Sequence, residues 1–213
     1  MTKVKVCGVR RLEDGELAVD LGAWAVGFIF HPPSPRHVDP AEAAGIISRL
    51  GEDVLTVGVF VDRPVEEVHR IASELDLGAI QLHGGERPEY AAEVRAAGAW
   101  KGEIWKSLRV GPQFDEEGVG RYAAFARILL DTYRPEAPGG TGETFDWDVA
   151  RRVQGQRPIL LAGGLKPSNV EEALACVRPE GVDVSSGVEH RPGVKDPAKL
   201  RDLFAAVARH DAR

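Results

Sequence analysis

Eight short runs of β-branched and aliphatic residues recur along the chain with helix-forming segments between them, and this alternation constrains the fold more than any other feature. The runs at 4–9, 25–30, 55–61, 79–83, 103–108, 127–131, 158–162 and 181–185 predict strands. The stretches at 11–22, 40–50, 64–76, 88–97, 112–125, 145–153, 167–177 and 197–209 carry helical spacing or helix formers, most weakly at 112–125. Such alternation implies right-handed crossovers and a parallel sheet, either open and doubly wound or closed into a barrel. The strand count and the length of 213 residues favour a single α/β domain, a (β/α)8 barrel spanning 1–213. An open dinucleotide-binding sheet would carry a glycine fingerprint after its first strand. VKVCGVR offers Gly8 alone, followed by Arg10 and Arg11.

Composition narrows the function classes. A formal charge of −6 argues against a broad electropositive surface, so neither nucleic acid nor an anionic membrane is an expected partner, and any anion site must be local. No apolar run is long enough to span a bilayer, and the chain starts on a strand-like segment, which makes the cytoplasm the expected compartment. Cys7 and Cys176 lie in unlike surroundings, at a spacing that suits neither a disulfide framework nor a zinc site. Asn169 is the sole asparagine and Met1 the sole methionine, a bias that fits either heat tolerance or a GC-rich genome.

In a (β/α)8 barrel, chemistry gathers at the C-terminal ends of the strands. The polar residues at those ends are Cys7, the segment HPPSPRH at 31–37, Asp62, QLHGGE at 81–86, Asp131, GGTG at 139–142, AGGLKPSN at 162–169 and SSGVE at 185–189. Gly163, Gly164, Ser186 and Gly187 follow strands seven and eight, where backbone N–H groups and a hydroxyl cradle a phosphate; the plain alternative is a tight turn followed by a helix start at Pro167 and Ser168. Asp131 closes ARILLD, a placement that suits a general acid or merely a turn cap. Arg36 sits in a proline-stiffened loop fit for holding a carboxylate, or pairs at the surface with Asp39 or Glu42. His83 reads first as a hydrogen-bonded structural residue and second as a catalytic one, and no second histidine stands at a metal-ligand spacing. The long segment 132–147 predicts an element that covers substrate.

Taken together, VKVCGVR, GFIFHPPSPRHV, VGVFV, AIQLHGGE, ILLDT, GGTGETFDW, LAGGLKPSNV and GVDVSSGVE resemble the phosphoribosylanthranilate isomerase family of tryptophan biosynthesis almost end to end. The resemblance implies a (β/α)8 barrel that converts N-(5-phosphoribosyl)anthranilate to 1-(2-carboxyphenylamino)-1-deoxyribulose 5-phosphate by an Amadori rearrangement. It implies no cofactor and no metal, a small-molecule phosphosugar substrate, and a monomer or homodimer. Carried over by motif, Cys7 is the general base, Asp131 the general acid and Arg36 the holder of the anthranilate carboxylate. His83 and Asp183 join the substrate site without an assigned step. A thiol with an ordinary pKa of about 8.5 needs help to ionise, and Arg10 or Lys5 is the expected neighbour.

The chain departs from the family pattern at Arg10, where threonine is frequent, at Gly85, where an acidic residue is frequent, and at His31 and His37, where aromatics are common. These changes touch the first loop and the anthranilate side. The related histidine-pathway isomerase uses an aspartate at the end of strand one, so Cys7 speaks against it. A phosphosugar-binding protein without turnover would have no use for Cys7 and Asp131 together.

Overall fold

The predicted strands form, and they close on themselves. The computed structural model describes residues 1–112, 114–132 and 146–213, with eight parallel strands hydrogen-bonded in sequence order into a closed barrel. These are β1 (Lys3–Cys7), β2 (Ala25–Ile29), β3 (Leu55–Phe60), β4 (Ala79–Leu82), β5 (Glu103–Val110), β6 (Arg127–Thr132), β7 (Ile159–Leu161) and β8 (Gly181–Val184). The ring closes where β1 pairs with β8, Lys3 opposite Gly181 and Val6 opposite Val184.

The helices are α1 (Leu12–Asp20), α2 (Pro40–Leu50), α3 (Val65–Glu74), α4 (Tyr90–Ala96), α5 (Trp147–Gln154), α6 (Val170–Val177) and α7 (Pro197–Asp211). Local chemistry sets several of their starts. Asp39 and Glu42 form a reciprocal capping box around Pro40 in α2, and the Asp196 carboxylate accepts from the backbone N–H groups of Ala198 and Lys199 in α7.

Two helical expectations need correction. The stretch 112–125 forms only a 3-10 segment, Glu117–Tyr122, because Pro112, Gly118 and Gly120 leave too few helix formers in sequence. The helix expected at 167–177 begins at Val170. Asn169 spends its side chain on the preceding loop, accepting from the Lys166 N–H at 2.8 Å and donating to the Gly164 carbonyl at 3.0 Å. Beyond β8 the chain adds a 3-10 turn, Ser186–Val188, and a short antiparallel hairpin, β9 (Glu189–Arg191) and β10 (Val194–Lys195), which periodicity did not reveal. The segment 133–145, which carries GGTG and most of the expected covering element, lies outside the described residues.

Two-residue alternation sorts each strand between two cores. Val4, Val6, Val26, Phe28, Ile80, Leu82, Ile128 and Leu130 pack outward beneath the helices. Ala25, Val57, Ala79, Trp105, Leu129 and Leu160 are fully buried and fill the barrel interior. At its N-terminal end Trp24 stacks on Trp105 with centroids 5.4 Å apart, and Arg127 lies over both rings at 5.0 and 5.8 Å. Glu103 and Glu180 pair with that guanidinium, so the lower end of the barrel is closed by a neutralised cation–aromatic stack. The same alternation carried upward leaves Cys7, Gln81, His83, Arg109, Asp131, Asp183 and Ser185 at the opposite end. Among the described residues, no helix is long and apolar enough to cross a membrane.

Candidate active site

A cleft of about 840 Å³, counted out to its open mouth, lies at the C-terminal ends of the strands. Cys7, Arg36, His83, Asp131, Gly163, Gly164, Asp183 and Ser186 all line it, as do Gln81, Arg109 and Ser185. Of the predicted site residues only Gly187 does not line the cleft. It packs behind the mouth against the Leu165 carbonyl, where an added Cβ would stand 2.8 Å from the Leu165 carbonyl carbon. Its contribution is the close approach of the β7 and β8 loops. Among the described residues, no group of three or more histidine, cysteine, aspartate or glutamate side chains could hold a metal ion.

Cys7 ends β1 and is buried, two residues after Lys5 on the same inward face. The Lys5 ammonium donates to Asp183 Oδ1 at 2.8 Å and stands close enough to the Cys7 thiol to act on it electrostatically, so its charge serves both. Gly27 of β2 makes this fit possible: a Cβ there would lie 3.0 Å from the Cys7 sulfur and 3.2 Å from Lys5 Nζ. Burial pushes the Cys7 thiol above its ordinary pKa, and Lys5 offsets part of that rise while Asp183 adds to it. Burial opposes the charge on Lys5, yet Asp183 and Cys7 outweigh it and hold the ammonium form. The expected neighbour of the thiol is therefore Lys5. Arg10 is corrected out of that role, because its guanidinium turns away to the Pro35 carbonyl at 3.4 Å on the surface.

Asp131 is the penultimate residue of β6 and is 8% exposed. Its Oδ1 accepts from the Thr132 N–H at 2.8 Å, and its Oδ2 lies 3.1 Å from His83 Nε2. The other imidazole nitrogen, Nδ1, faces Gln81 Nε2 at 3.0 Å. An amide nitrogen only donates, so Nδ1 is the acceptor and the ring proton sits on Nε2, aimed at Asp131. Gln81 Oε1 is buried and has no partner among the described residues. The loop that carries His83 is pinned by Glu86, which accepts from the N–H groups of Asp62 and Gly84 and from Lys106 Nζ, each at 2.9 Å.

Gly163 and Gly164 take φ of +83° and +67°, a left-handed pair whose backbone lines the cleft. At Gly163 a Cβ would stand 2.6 Å from the Thr132 nitrogen and 2.9 Å from Asp131 Oδ1, so the loop is pressed against the end of β6. A Gly163→Ala protein is expected to lose about 1–3 kcal/mol of stability and to misplace Asp131; thermal melting beside a turnover assay checks both. Ser186 opens the 3-10 turn at the cleft wall. The neighbouring Ser185 hydroxyl, which opens the expected SSGVE segment but was given no role of its own, is buried without a partner among the described residues.

Arg36 is 8% exposed and does not pair with Asp39 or Glu42, which serve the α2 cap. It grips Glu189 instead, Nε donating to both carboxylate oxygens at 2.9 and 3.1 Å and Nη2 to Oε2 at 2.7 Å. The surface-pairing alternative is thereby corrected: the loop after β2 folds over the mouth to meet the β9–β10 hairpin. Glu189 also accepts from Lys195 Nζ at 3.0 Å and the Gly193 N–H at 3.2 Å. Burial works against ionising Glu189, and Arg36 with Lys195 outweighs it, holding the carboxyl below its usual range.

A family model described as N-(5'phosphoribosyl)anthranilate (PRA) isomerase matches residues 4–206. The chain belongs to this family. A relative from Geobacter metallireducens, an N-(5'-phosphoribosyl)anthranilate isomerase, is 46% identical over 204 residues, covering 96% of this chain and 98% of its own. The phosphoribosyl anthranilate isomerase structure from Thermus thermophilus superposes with a TM-score of 0.88 at 41% identity, with full coverage of both chains. A further isomerase of the family was solved in complex with reduced 1-(o-carboxyphenylamino)-1-deoxyribulose 5-phosphate; it matches with a TM-score of 0.86 at 37% identity over 98% of this chain and 99% of that one. Monomers generated from the dimeric Thermotoga maritima isomerase match with a TM-score of 0.83 at 37% identity, covering 98% and 99% of the two chains. The barrel and the isomerase assignment expected from the motifs agree with these relatives.

Proposed function

We propose that the protein catalyses the Amadori rearrangement of N-(5-phosphoribosyl)anthranilate, with Cys7 as general base and Asp131 as general acid. The observation that carries this reading is the convergence in one cleft of a thiol beside a buried ammonium and a carboxyl bonded to an imidazole. Protonated Asp131 gives its proton to the furanose ring oxygen, the C1′–O bond breaks, and a Schiff base forms. The Cys7 thiolate takes the C2′ proton and leaves an enolamine. That enolamine gains a proton at C1′ and releases one from O2′, so the ketose product carries the same atoms as the substrate.

His83 and Gln81 let Asp131 hold or give up its proton without losing a hydrogen bond. With Nε2–H donating, Asp131 is a carboxylate. Rotating the Gln81 amide turns Oε1 to Nδ1, moves the ring proton there, and leaves Nε2 to accept from a protonated Asp131. Gly163, Gly164 and Ser186 hold the phosphate with help from Gly187, which keeps their loops together, and Arg36 holds the anthranilate carboxylate. Asp183 acts through Lys5. The substrate is a free phosphosugar; neither nucleic acid nor a membrane takes part. The protein works as a one-domain barrel, as monomer or homodimer, in the cytoplasm and without a cofactor.

The test follows the anthranilate-type fluorescence of freshly generated phosphoribosylanthranilate after addition of purified protein. The expected result is decay in proportion to protein concentration, with the aminodeoxyribulose phosphate as product. Binding with no decay would leave the barrel a phosphosugar-binding protein and remove the isomerase reading.

A further inference from the structure

We propose that Glu189 is a positioning residue that decides which edge of the Arg36 guanidinium is offered to a carboxylate in the cleft, and so sets selectivity for a carboxylated aromatic. The inference rests on the reading of Arg36 above.

A guanidinium has two two-pronged edges that match a carboxylate, one made by Nε and Nη2 and the other by Nη1 and Nη2. Glu189 occupies the first edge completely, through the contacts at 2.9, 3.1 and 2.7 Å. Nη1 makes no hydrogen bond among the described residues, and Arg36 lines the cleft. The second edge is the one left for a ligand.

The position of that edge is fixed from several sides. The Arg36 stem rests on Gly8, where a Cβ would lie 2.8 Å from Arg36 Cδ and 3.3 Å from its Cβ. The Arg36 N–H is held by Ser34 Oγ at 3.1 Å. Glu189 is anchored by Lys195, whose ammonium also donates to the Cys7 carbonyl at 2.6 Å and the Ser185 carbonyl at 3.3 Å. One buried chain of contacts therefore ties the Arg36 fork to the backbone of the residue proposed to take the C2′ proton.

The decisive comparison uses two substrates, phosphoribosylanthranilate and phosphoribosylaniline, which lacks the carboxylate. The wild-type protein is expected to prefer the first, and Glu189→Gln to cut that preference by about tenfold or more, mainly through KM for the carboxylated substrate. Glu189→Asp should recover part of it. In an Arg36→Gln background, adding Glu189→Gln should change the preference no further. Equal losses on both substrates, or additive losses in the double variant, would make Glu189 only a clamp for the hairpin and overturn the proposal. A wild-type protein that turns over both substrates equally well would instead remove the Arg36 reading beneath it. If circular dichroism shows Glu189→Gln unfolded, Glu189→Asp carries the same two-substrate comparison, and an unaltered preference there counts against the proposal.

Discussion

Serine in place of Cys7, and separately asparagine in place of Asp131, is expected to lower kcat by about 10²–10⁴-fold with little change in affinity for the ligand. Serine keeps the size and hydrogen-bonding shape of the side chain at the end of β1 but replaces a thiol by a far weaker acid, so the base that should take the C2′ proton is lost. Asparagine still accepts from the Thr132 N–H through its amide oxygen, and its nitrogen stands where Oδ2 meets His83. It has no acidic proton to give the ring oxygen. The check is a pair of measurements on each variant: turnover by fluorescence decay, and binding of the reduced product analogue by calorimetry. A kcat near wild type in either variant would move the acid or the base to another residue; loss of binding as well would point to damage of the cleft.

The second large effect concerns Lys5. Replacing it by methionine leaves the Asp183 carboxylate buried without its 2.8 Å partner, and breaking such a pair costs about 3–5 kcal/mol. The thiol responds as well. Burial raises the Cys7 pKa, Lys5 lowers it and Asp183 raises it. Lys5→Met should therefore shift the titration of Cys7 to higher pH, and Asp183→Asn, which frees the Lys5 charge for the sulfur, should shift it to lower pH. The thiolate is the reactive form, so alkylation by iodoacetamide rises as pH climbs through the thiol pKa. Rates followed from pH 6 to 10 in a Cys176→Ser background should show opposite displacements for the two variants. Displacements in the same direction would mean that the ammonium does not act on the sulfur as its position implies.

Much of the site was legible because it is built on strands. Once the runs are read as strands of a closed barrel, their last inward residues must meet at one mouth, and Cys7, His83 and Asp131 follow from position, whereas Asp183 came only with the family resemblance. The glycine pair Gly163 and Gly164 was legible for a different reason: a left-handed turn beside the end of β6 admits no side chain. What escaped were partnerships over long sequence separation. Arg36 finds Glu189 across 153 positions and Lys195 reaches the Cys7 carbonyl across 188. Local reading instead offered Asp39 and Glu42, which lie close in sequence and are occupied by the α2 cap. The β9–β10 hairpin that carries Glu189 and Lys195 has strands of three and two residues, too short for a period to register. The weak helix at 112–125 failed where its composition was poorest, at Gly118 and Gly120.

The stacked pair Trp24 and Trp105 with Arg127 has a consequence beyond stability. Because the interior above it is filled by fully buried side chains, the barrel is a cup with one rim. Whatever enters for reaction and whatever leaves afterwards must use the same doorway, so the two compete for occupancy of the cleft. The pace of emptying then bears on the cycle, and an accumulating product holds the next substrate outside.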